Sequence, residues 1–177
     1  MRKIFFLLLF ASSLAQAQQN DGGYSLPPKD IADMLLAKAP PAVSVDDKGK
    51  WMLLSESNSY PSVEELAQPE LKIAGMRINP ANYAPSRQNF INNIYLKEVA
   101  GGKEYKISGL PSPLFAGNIS WSPDQKQFAF TQTLKDRVDL YVVDIATQKA
   151  RKVNKTPLNL IAGAAYQWID GQTLLYR

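Results

Sequence analysis

The sequence of 177 residues contains no histidine and no cysteine. Without histidine, these residues cannot form a Ser-His-Asp or Cys-His arrangement or a His-ligated metal site. Without cysteine, no disulfide holds the fold, so its stability must come from burial. A Gly-x-Ser-x-Gly elbow, a phosphate-cradling glycine-rich loop and an Asp-rich calcium loop are absent as well. We therefore predict no catalytic residue, no metal ligand and no cofactor site within this chain.

The first residues have the pattern of a secretory signal peptide. Arg2 and Lys3 precede an apolar run over residues 4–10, and the small-x-small site Ala15-Gln16-Ala17 follows. The run is too short for a membrane-spanning helix, which needs about 20 residues. We predict a signal peptide over 1–17 that is cleaved after Ala17, export to the periplasm or the extracellular space, and no stable membrane anchor.

The charge balance gives little reason to expect a nucleic-acid partner. The formal net charge is +4, and it falls to +2 once Arg2 and Lys3 leave with the predicted signal peptide. Basic residues are densest over 149–155, where they alternate with apolar residues as on the solvated face of a strand. We predict no nucleic-acid partner, and the sequence leaves the oligomeric state open.

One part of the chain occurs twice, about 46 residues apart, which is the repeat length of propeller blades. The segment 93–107 returns as 139–153, with a short polar turn at the same place in each copy. Trp121 and Trp168 each begin a second repeated segment, in which a tryptophan and a turn precede an apolar strand. Apolar strands separated by polar turns are typical of blades whose sheets are covered on both faces.

The predicted fold is all-β, an incomplete β-propeller of about two and a half four-stranded antiparallel blades. A short N-terminal helix and one helical insertion complete it. An N-terminal extension over 18–41 should contain the helix, with Ile31, Met34 and Leu35 on one face. The partial propeller should span 42–177, and we expect it to be truncated. Its predicted parts are blade one over 42–107 with an insertion over 57–88, blade two over 115–153, and blade three from 163.

Few residues suggest chemistry. The neighbouring carboxylates Asp46-Asp47 and Glu64-Glu65 are better explained by a turn and by a helix start, with Ser62 and Glu65 as a capping box. Trp51, Trp121 and Trp168 are predicted to be buried, repeat-related core residues. Arg77 and Arg87 in the insertion are candidate substrate-binding residues, because an arginine can hold a carboxylate bidentately; the alternative is two surface arginines.

Two segments carry a family resemblance. The hairpin Trp121-Ser122-Pro123-Asp124-Gln125-Lys126-Gln127-Phe128-Ala129-Phe130 is similar to those of TolB-like propellers and of the propeller domains of the prolyl oligopeptidase family of serine peptidases. The string Leu66-Ala67-Gln68-Pro69-Glu70-Leu71-Lys72-Ile73-Ala74-Gly75-Met76-Arg77-Ile78, together with Tyr24–Pro28 and Ile31, resembles the start of the glutamyl endopeptidase branch of that family. Blade architecture does not require the second string.

The resemblance implies a propeller that covers the active site of a C-terminal α/β-hydrolase domain and admits only peptide-sized substrates. A Ser nucleophile, a His base and an Asp in that domain would cleave peptide bonds through an acyl-enzyme. None of these positions lies in this sequence, so the chain is either a fragment of a longer reading frame or an inactive product. The competing interpretation is a non-enzymatic exported TolB-like propeller that binds a protein or glycan partner.

Overall fold

The computed structural model describes residues 27–177, so the predicted signal peptide over 1–17 lies outside the described residues. Of the described residues, those from 27 to 37 belong to one compact unit, and Lys38–Arg177 form a second. In the first unit, helix α1 spans Lys29–Leu36, with Pro28 at its N-cap, which confirms the predicted helix. No helix in the described part of the chain is long and apolar enough to cross a membrane.

The second unit is all-β apart from one short helix. In chain order its elements are β1 (Ala42–Val45), β2 (Trp51–Ser57), α2 (Val63–Leu66), β3 (Leu71–Ile73), β4 (Met76–Asn79), β5 (Ala84–Pro85), β6 (Ile91–Glu98), β7 (Glu104–Lys106), β8 (Ala116–Trp121), β9 (Gln127–Thr133), β10 (Val138–Asp144), β11 (Lys149–Lys152), β12 (Tyr166–Trp168) and β13 (Leu174–Tyr176). All of the paired strands are antiparallel.

Two four-stranded antiparallel meanders form most of this unit. The first meander is β1-β2-β6-β7 and the second is β8-β9-β10-β11, and one bridge between Ile91 and Ala116 joins them. Tyr95 pairs with Lys106 in the first meander, and Tyr141 pairs with Lys152 in the second. The repeat seen in the sequence is therefore a repeat of strand register. Each meander has the strand number and order of a propeller blade.

The core lies on both faces of the second meander. Phe128 and Phe130 of β9 are fully buried in a cluster with Leu53, Ile94 and Leu96 of the first meander. On the opposite face, β9 and β10 contribute to a second cluster, whose buried members are Ala84, Ala129, Val138, Leu140, Val142, Leu158, Leu160, Ala165 and Tyr166. Because β9 is covered on both sides, its sequence is almost continuously apolar or uncharged, rather than alternating between apolar and charged residues.

Trp121 and Trp168 have equivalent positions and each packs against a core cluster, as predicted, but they are half-buried rather than buried. The Trp121 Nε1 donates to the Ser44 Oγ of β1 at 2.9 Å, and the Trp168 Nε1 donates to the Ser120 Oγ of β8 at 3.2 Å. Each indole thus binds a serine on the first strand of the preceding repeat. The N–H needs a polar partner, which keeps this edge of the ring out of the apolar core.

Trp51, predicted to have a repeat position equivalent or near-equivalent to that of Trp121, has only a near-equivalent one, although both indoles pack against the same core cluster. Trp51 begins β2 and pairs with Glu98, just as Gln127 begins β9 and pairs with Asp144. Trp51 is half-buried and packs edge-on against Tyr105 at 5.4 Å between ring centroids. The two tryptophans therefore lie on opposite sides of their turns.

The insertion between β2 and β6 contains more than the predicted helix. The capping box is confirmed: the Ser62 Oγ accepts from the Glu65 backbone N–H, and the Glu65 carboxylate accepts from the Ser62 N–H. Helix α2 is short, and a three-stranded antiparallel sheet, β3-β4-β5, follows it. The Leu160 backbone N–H donates to the Tyr83 carbonyl at 2.9 Å, which ties the insertion to the segment before β12.

A buried tyrosine on β12 connects the β12-β13 hairpin to the second meander. The Tyr166 hydroxyl lies within hydrogen-bond distance of the Ser120 Oγ and of the carbonyls of Asn118 and Ala129. Burial raises the pKa of Tyr166 to about 12, against an ordinary value of 10.0. Well below pH 10 the tyrosine is neutral in both the folded and the unfolded chain, so its ionisation does not affect the stability of the fold there.

Between pH 10 and 12 the unfolded state loses this proton first, so the stability of the fold should decrease with rising pH. We expect that Tyr166→Phe lowers the free energy of unfolding by about 1–2 kcal/mol at pH 7, because buried carbonyls lose a donor. The variant should also lose part of the alkaline decline that the wild type shows. Urea unfolding at several pH values measures both effects. An unchanged alkaline slope in Tyr166→Phe would show that another group causes the decline.

Candidate functional site

A cleft of about 480 Å³ lies between the insertion and the loops of the second meander. Its volume is within the range of small-ligand sites. One wall comes from the insertion between Ser59 and Phe90, and the other comes from the β7–β8 and β9–β10 connections. The side chains that line it include the apolar residues Pro61, Leu66, Pro85, Phe90, Pro113, Phe115 and Leu134.

Gln132 holds the wall of the cleft that belongs to the second meander. Its side chain is almost fully buried; the Oε1 accepts from the Phe115 N–H at 2.9 Å, and the Nε2 donates to the Pro113 carbonyl at 3.0 Å. A single side-chain amide therefore fixes the loop that presents Phe115. The Phe115 ring meets the Phe90 ring edge-to-face at 5.6 Å between centroids, so the two walls touch through these rings.

Asn82 connects the two walls through its buried side chain. The Asn82 Nδ2 donates to the Leu134 carbonyl at 2.8 Å, while its Oδ1 accepts from the Ala84 N–H at 3.1 Å. Because both ends of this amide are satisfied by backbone groups, the insertion is fixed against the β9–β10 loop. Buried side-chain hydrogen bonds therefore hold both walls of the cleft in place.

An ion pair crosses the rim of the cleft. The Lys135 Nζ lies 2.6 Å from the Glu64 Oε1, and both side chains are largely exposed. The hydrogen bond with Lys135 lowers the pKa of Glu64, and the same contact raises the pKa of Lys135. Salt screens exposed pairs of this kind, so the pair adds little to stability.

Arg77 and Arg87, the two predicted candidates, lie together around one carboxylate. The Arg77 Nη1 is 2.6 Å from the Glu70 Oε1, and the Arg87 Nε is 3.0 Å from the Glu70 Oε2. The Ser86 Oγ also donates to Glu70, at 2.8 Å. The hydrogen bond from Ser86 is the main cause that holds the pKa of Glu70 below its ordinary value; burial opposes it, and the charges of Arg77 and Arg87 add to it.

The two arginines differ in where they lie. Arg87 lines the cleft, whereas Arg77 is not among the residues that line it. Arg87 lies two residues after the end of β5 and has φ +60°, a left-handed backbone conformation that is uncommon outside glycine. In the described residues, the Nη groups of Arg87 donate no hydrogen bond, since its contact to Glu70 uses the Nε.

The neighbouring carboxylates have structural contacts. Asp46 is buried and accepts from the backbone N–H groups of Lys50 and Trp51 at 2.7 and 2.8 Å, so it closes the β1–β2 turn. Glu65 caps α2 and Glu64 pairs with Lys135. Within residues 27–177, no group of three or more acidic, histidine or cysteine side chains could hold a metal ion. Sequence reasoning did not find the cleft residues Phe90, Phe115 and Lys135, because no local motif marks them.

No protein-family model matches this sequence. Two plant proteins, each named "Probable glutamyl endopeptidase, chloroplastic", are similar to it. The protein from Oryza sativa subsp. japonica is 29% identical over 166 residues, which is 86% of this chain and 18% of that protein. The protein from Arabidopsis thaliana is 30% identical over 165 residues, again 86% of this chain and 17% of that protein. The resemblance to glutamyl endopeptidases is confirmed, and the chain spans less than a fifth of the length of these relatives.

A solved structure from Bacteroides ovatus ATCC 8483, described as a dipeptidyl aminopeptidase IV, is also similar. It matches with a TM-score of 0.44 and 15% sequence identity, over 76% of this chain and 20% of that chain.

Proposed function

We propose that this chain, a relative of the glutamyl endopeptidases, is part of the propeller domain of an exported serine peptidase of the prolyl oligopeptidase family. The observation that carries the proposal is the similarity to two plant proteins with that name over 86% of the chain. The two successive meanders with the same strand register support it, because repeated four-stranded units are what a propeller is built from.

In this proposal the propeller binds and admits substrate, and the chemistry takes place elsewhere. A serine nucleophile needs a base to activate it, and these residues contain no histidine. An α/β-hydrolase domain in the longer protein would supply the Ser, His and Asp. The propeller would cover that active site, so that peptides can reach it and folded proteins cannot. Peptides would be the substrates, and no cofactor would be needed.

The test uses the longer protein that carries this chain, with 18–177 alone as the control. The longer protein should react with a fluorophosphonate probe, and the labelled residue should lie outside these 177 residues. It should cleave a fluorogenic peptide but not the same sequence held inside a folded protein. The segment 18–177 alone should give neither labelling nor hydrolysis.

The possible outcomes separate the two interpretations. Stoichiometric labelling of 18–177 alone would place a nucleophile here and overturn the assignment. A longer protein that consists only of further blades and does not react would favour the non-enzymatic TolB-like propeller. If the signal peptide is also correct, the mature protein in the periplasm or culture medium should begin at Gln18, which N-terminal sequencing measures.

A further inference from the structure

We infer that the cleft between the insertion and the second meander binds a peptide through a carboxylate, held by Arg87, that lies next to a bulky apolar side chain. The inference rests on the proposed function for the peptide nature of the ligand. Beyond the proposed function, we specify the chemical class of the ligand and the cleft in which the ligand binds.

The apolar part of the cleft can take a side chain. Phe90 and Phe115 contribute aromatic surface, and Leu66 and Leu134 lie on opposite walls. Apolar and aromatic linings with a few fixed polar groups are typical of ligand sites. The polar lining includes the side-chain amides of Gln68, Asn79, Gln88 and Asn89, besides that of Asn82, which is already held by backbone groups. Amides donate and accept hydrogen bonds, as an extended peptide backbone also does.

The charged side chains in and beside the cleft sum to zero, because Glu65, which caps α2, also lines it; the end of the cleft at Arg87 is nevertheless locally positive. One carboxylate, Glu70, faces two guanidinium groups, so the Glu70–Arg77–Arg87 cluster carries one excess positive charge. The other cation on the rim, Lys135, is already paired with Glu64 at 2.6 Å. The local positive charge therefore lies on the Glu70–Arg77–Arg87 cluster, and Arg87 is the member of the cluster that faces the cleft.

The guanidinium of Arg87 is positioned and still able to bind. Its Nε is occupied by Glu70 at 3.0 Å, and the Ser86 N–H donates to the Arg77 carbonyl at 2.9 Å, which fixes the backbone beside it. The two Nη groups make no hydrogen bond to any residue of 27–177. An end-on pair of N–H groups matches the two oxygens of a carboxylate.

Two kinds of peptide carry such a carboxylate, and the experiment separates them. The first pair of probes is Ac-Ala-Phe with a free C-terminal carboxylate and the same peptide with a C-terminal amide. The second pair is Ac-Phe-Glu-Ala-amide and Ac-Phe-Gln-Ala-amide. Binding to the wild-type chain is measured by calorimetry at low salt. We expect binding of at least one acidic probe, and weaker binding of its neutral partner.

Arg87→Gln should weaken binding of the acidic probe by about tenfold or more, because a charged bidentate contact is lost. Arg77→Gln is the matched control: it removes a guanidinium from the same Glu70, but at a place outside the cleft. It should leave the affinity within a factor of about three, since surface ion pairs contribute little. Thermal unfolding of both variants checks that the fold is intact.

If Arg87→Gln does not fold, Arg87→Lys is used, because it keeps the charge without the forked geometry. It should weaken the binding of the acidic probe and leave the binding of its neutral partner unchanged. Equal binding of acidic and amide probes, an equal loss in Arg77→Gln and Arg87→Gln, or no binding by the wild type would each overturn the inference. None of these outcomes tests the proposed function. A longer protein that cleaves peptides while the cleft binds none would contradict the inference alone.

Discussion

Replacing Phe130 by alanine should lower the free energy of unfolding by about 3–5 kcal/mol, the usual cost of truncating a buried phenylalanine. The side chain is 0% exposed and lies in the core between the two meanders. Its ring stacks on Tyr141 at 5.4 Å between centroids, with 14° between the planes, and lies 6.5 Å from the Phe128 ring. Alanine would leave a cavity that the hydrogen-bonded strands around it cannot close by relaxing.

Tyr60→Ala is the control for this change, because Tyr60 is 61% exposed. It should change the free energy of unfolding by no more than about 0.5 kcal/mol, as for other surface substitutions. Urea unfolding followed by tryptophan fluorescence measures both variants. If Phe130→Ala costs no more than Tyr60→Ala, the two meanders do not share a core in solution.

Replacing Asp139 by asparagine should cost about 2–3 kcal/mol at neutral pH, because it removes the charge at the centre of a buried polar cluster. The Asp139 carboxylate is 2.8 Å from the Lys152 Nζ and 3.2 Å from the Arg137 Nε. It also accepts from the Asn154 Nδ2 at 3.2 Å, and the Asn154 Oδ1 in turn accepts from the Leu140 N–H at 2.7 Å. The partial exposure of Lys152 and Arg137 keeps the cost below that of a fully buried ion pair.

The effect of Asp139→Asn should depend on pH. Burial raises the pKa of Asp139, but the hydrogen bonds from Lys152 and Asn154 and the charges of Lys152 and Arg137 together hold it below its ordinary value. A depressed pKa in the folded state stabilises the protein above the pKa of the unfolded state, which is about 4. That stability is lost as the pH falls through the folded-state pKa. The difference between Asp139→Asn and the wild type should therefore shrink below about pH 4.

Asp136→Asn is the matched control, since it makes the same chemical change at an exposed position two residues before β10. It should have a small effect at every pH, as surface charges usually do. Urea titrations between pH 2.5 and 7 compare the three proteins. A cost for Asp139→Asn that stays constant across this range would show that folding does not lower the pKa of this carboxylate.

The insertion is the part of this chain that departs from a plain repeat. It places Glu70, Arg77 and Arg87 beside a cleft whose other wall is the second meander. The string from Leu66 to Ile78, which carries the resemblance to glutamyl endopeptidases, includes Glu70 and Arg77 and forms most of β3 and β4. In the proposed function, the insertion would thus be the place where this propeller meets its peptide.

The features that the sequence determined by itself are local in the chain. The alternation and turns of 93–107 and 139–153 predicted two strand pairs with the same register, and Tyr95 and Tyr141 have equivalent partners. The Ser62–Glu65 spacing predicted a capping box that the structure contains. Side-chain spacing and turn chemistry act over a few residues, so one sequence is enough to identify them.

The features that only the tertiary structure decided involve contacts between distant segments. Phe90 meets Phe115, Glu64 meets Lys135, and Trp121 binds Ser44, and none of these pairs has a spacing that a local rule recognises. Trp51 shows the limit most directly, because a tryptophan near a turn looks like a repeat of Trp121 in the sequence although it lies on the other side of its turn. The cleft exists because the insertion, with its sheet β3-β4-β5, packs against the β9–β10 loop of the large sheet. Such packing between distant segments depends on the whole chain and not on a local pattern.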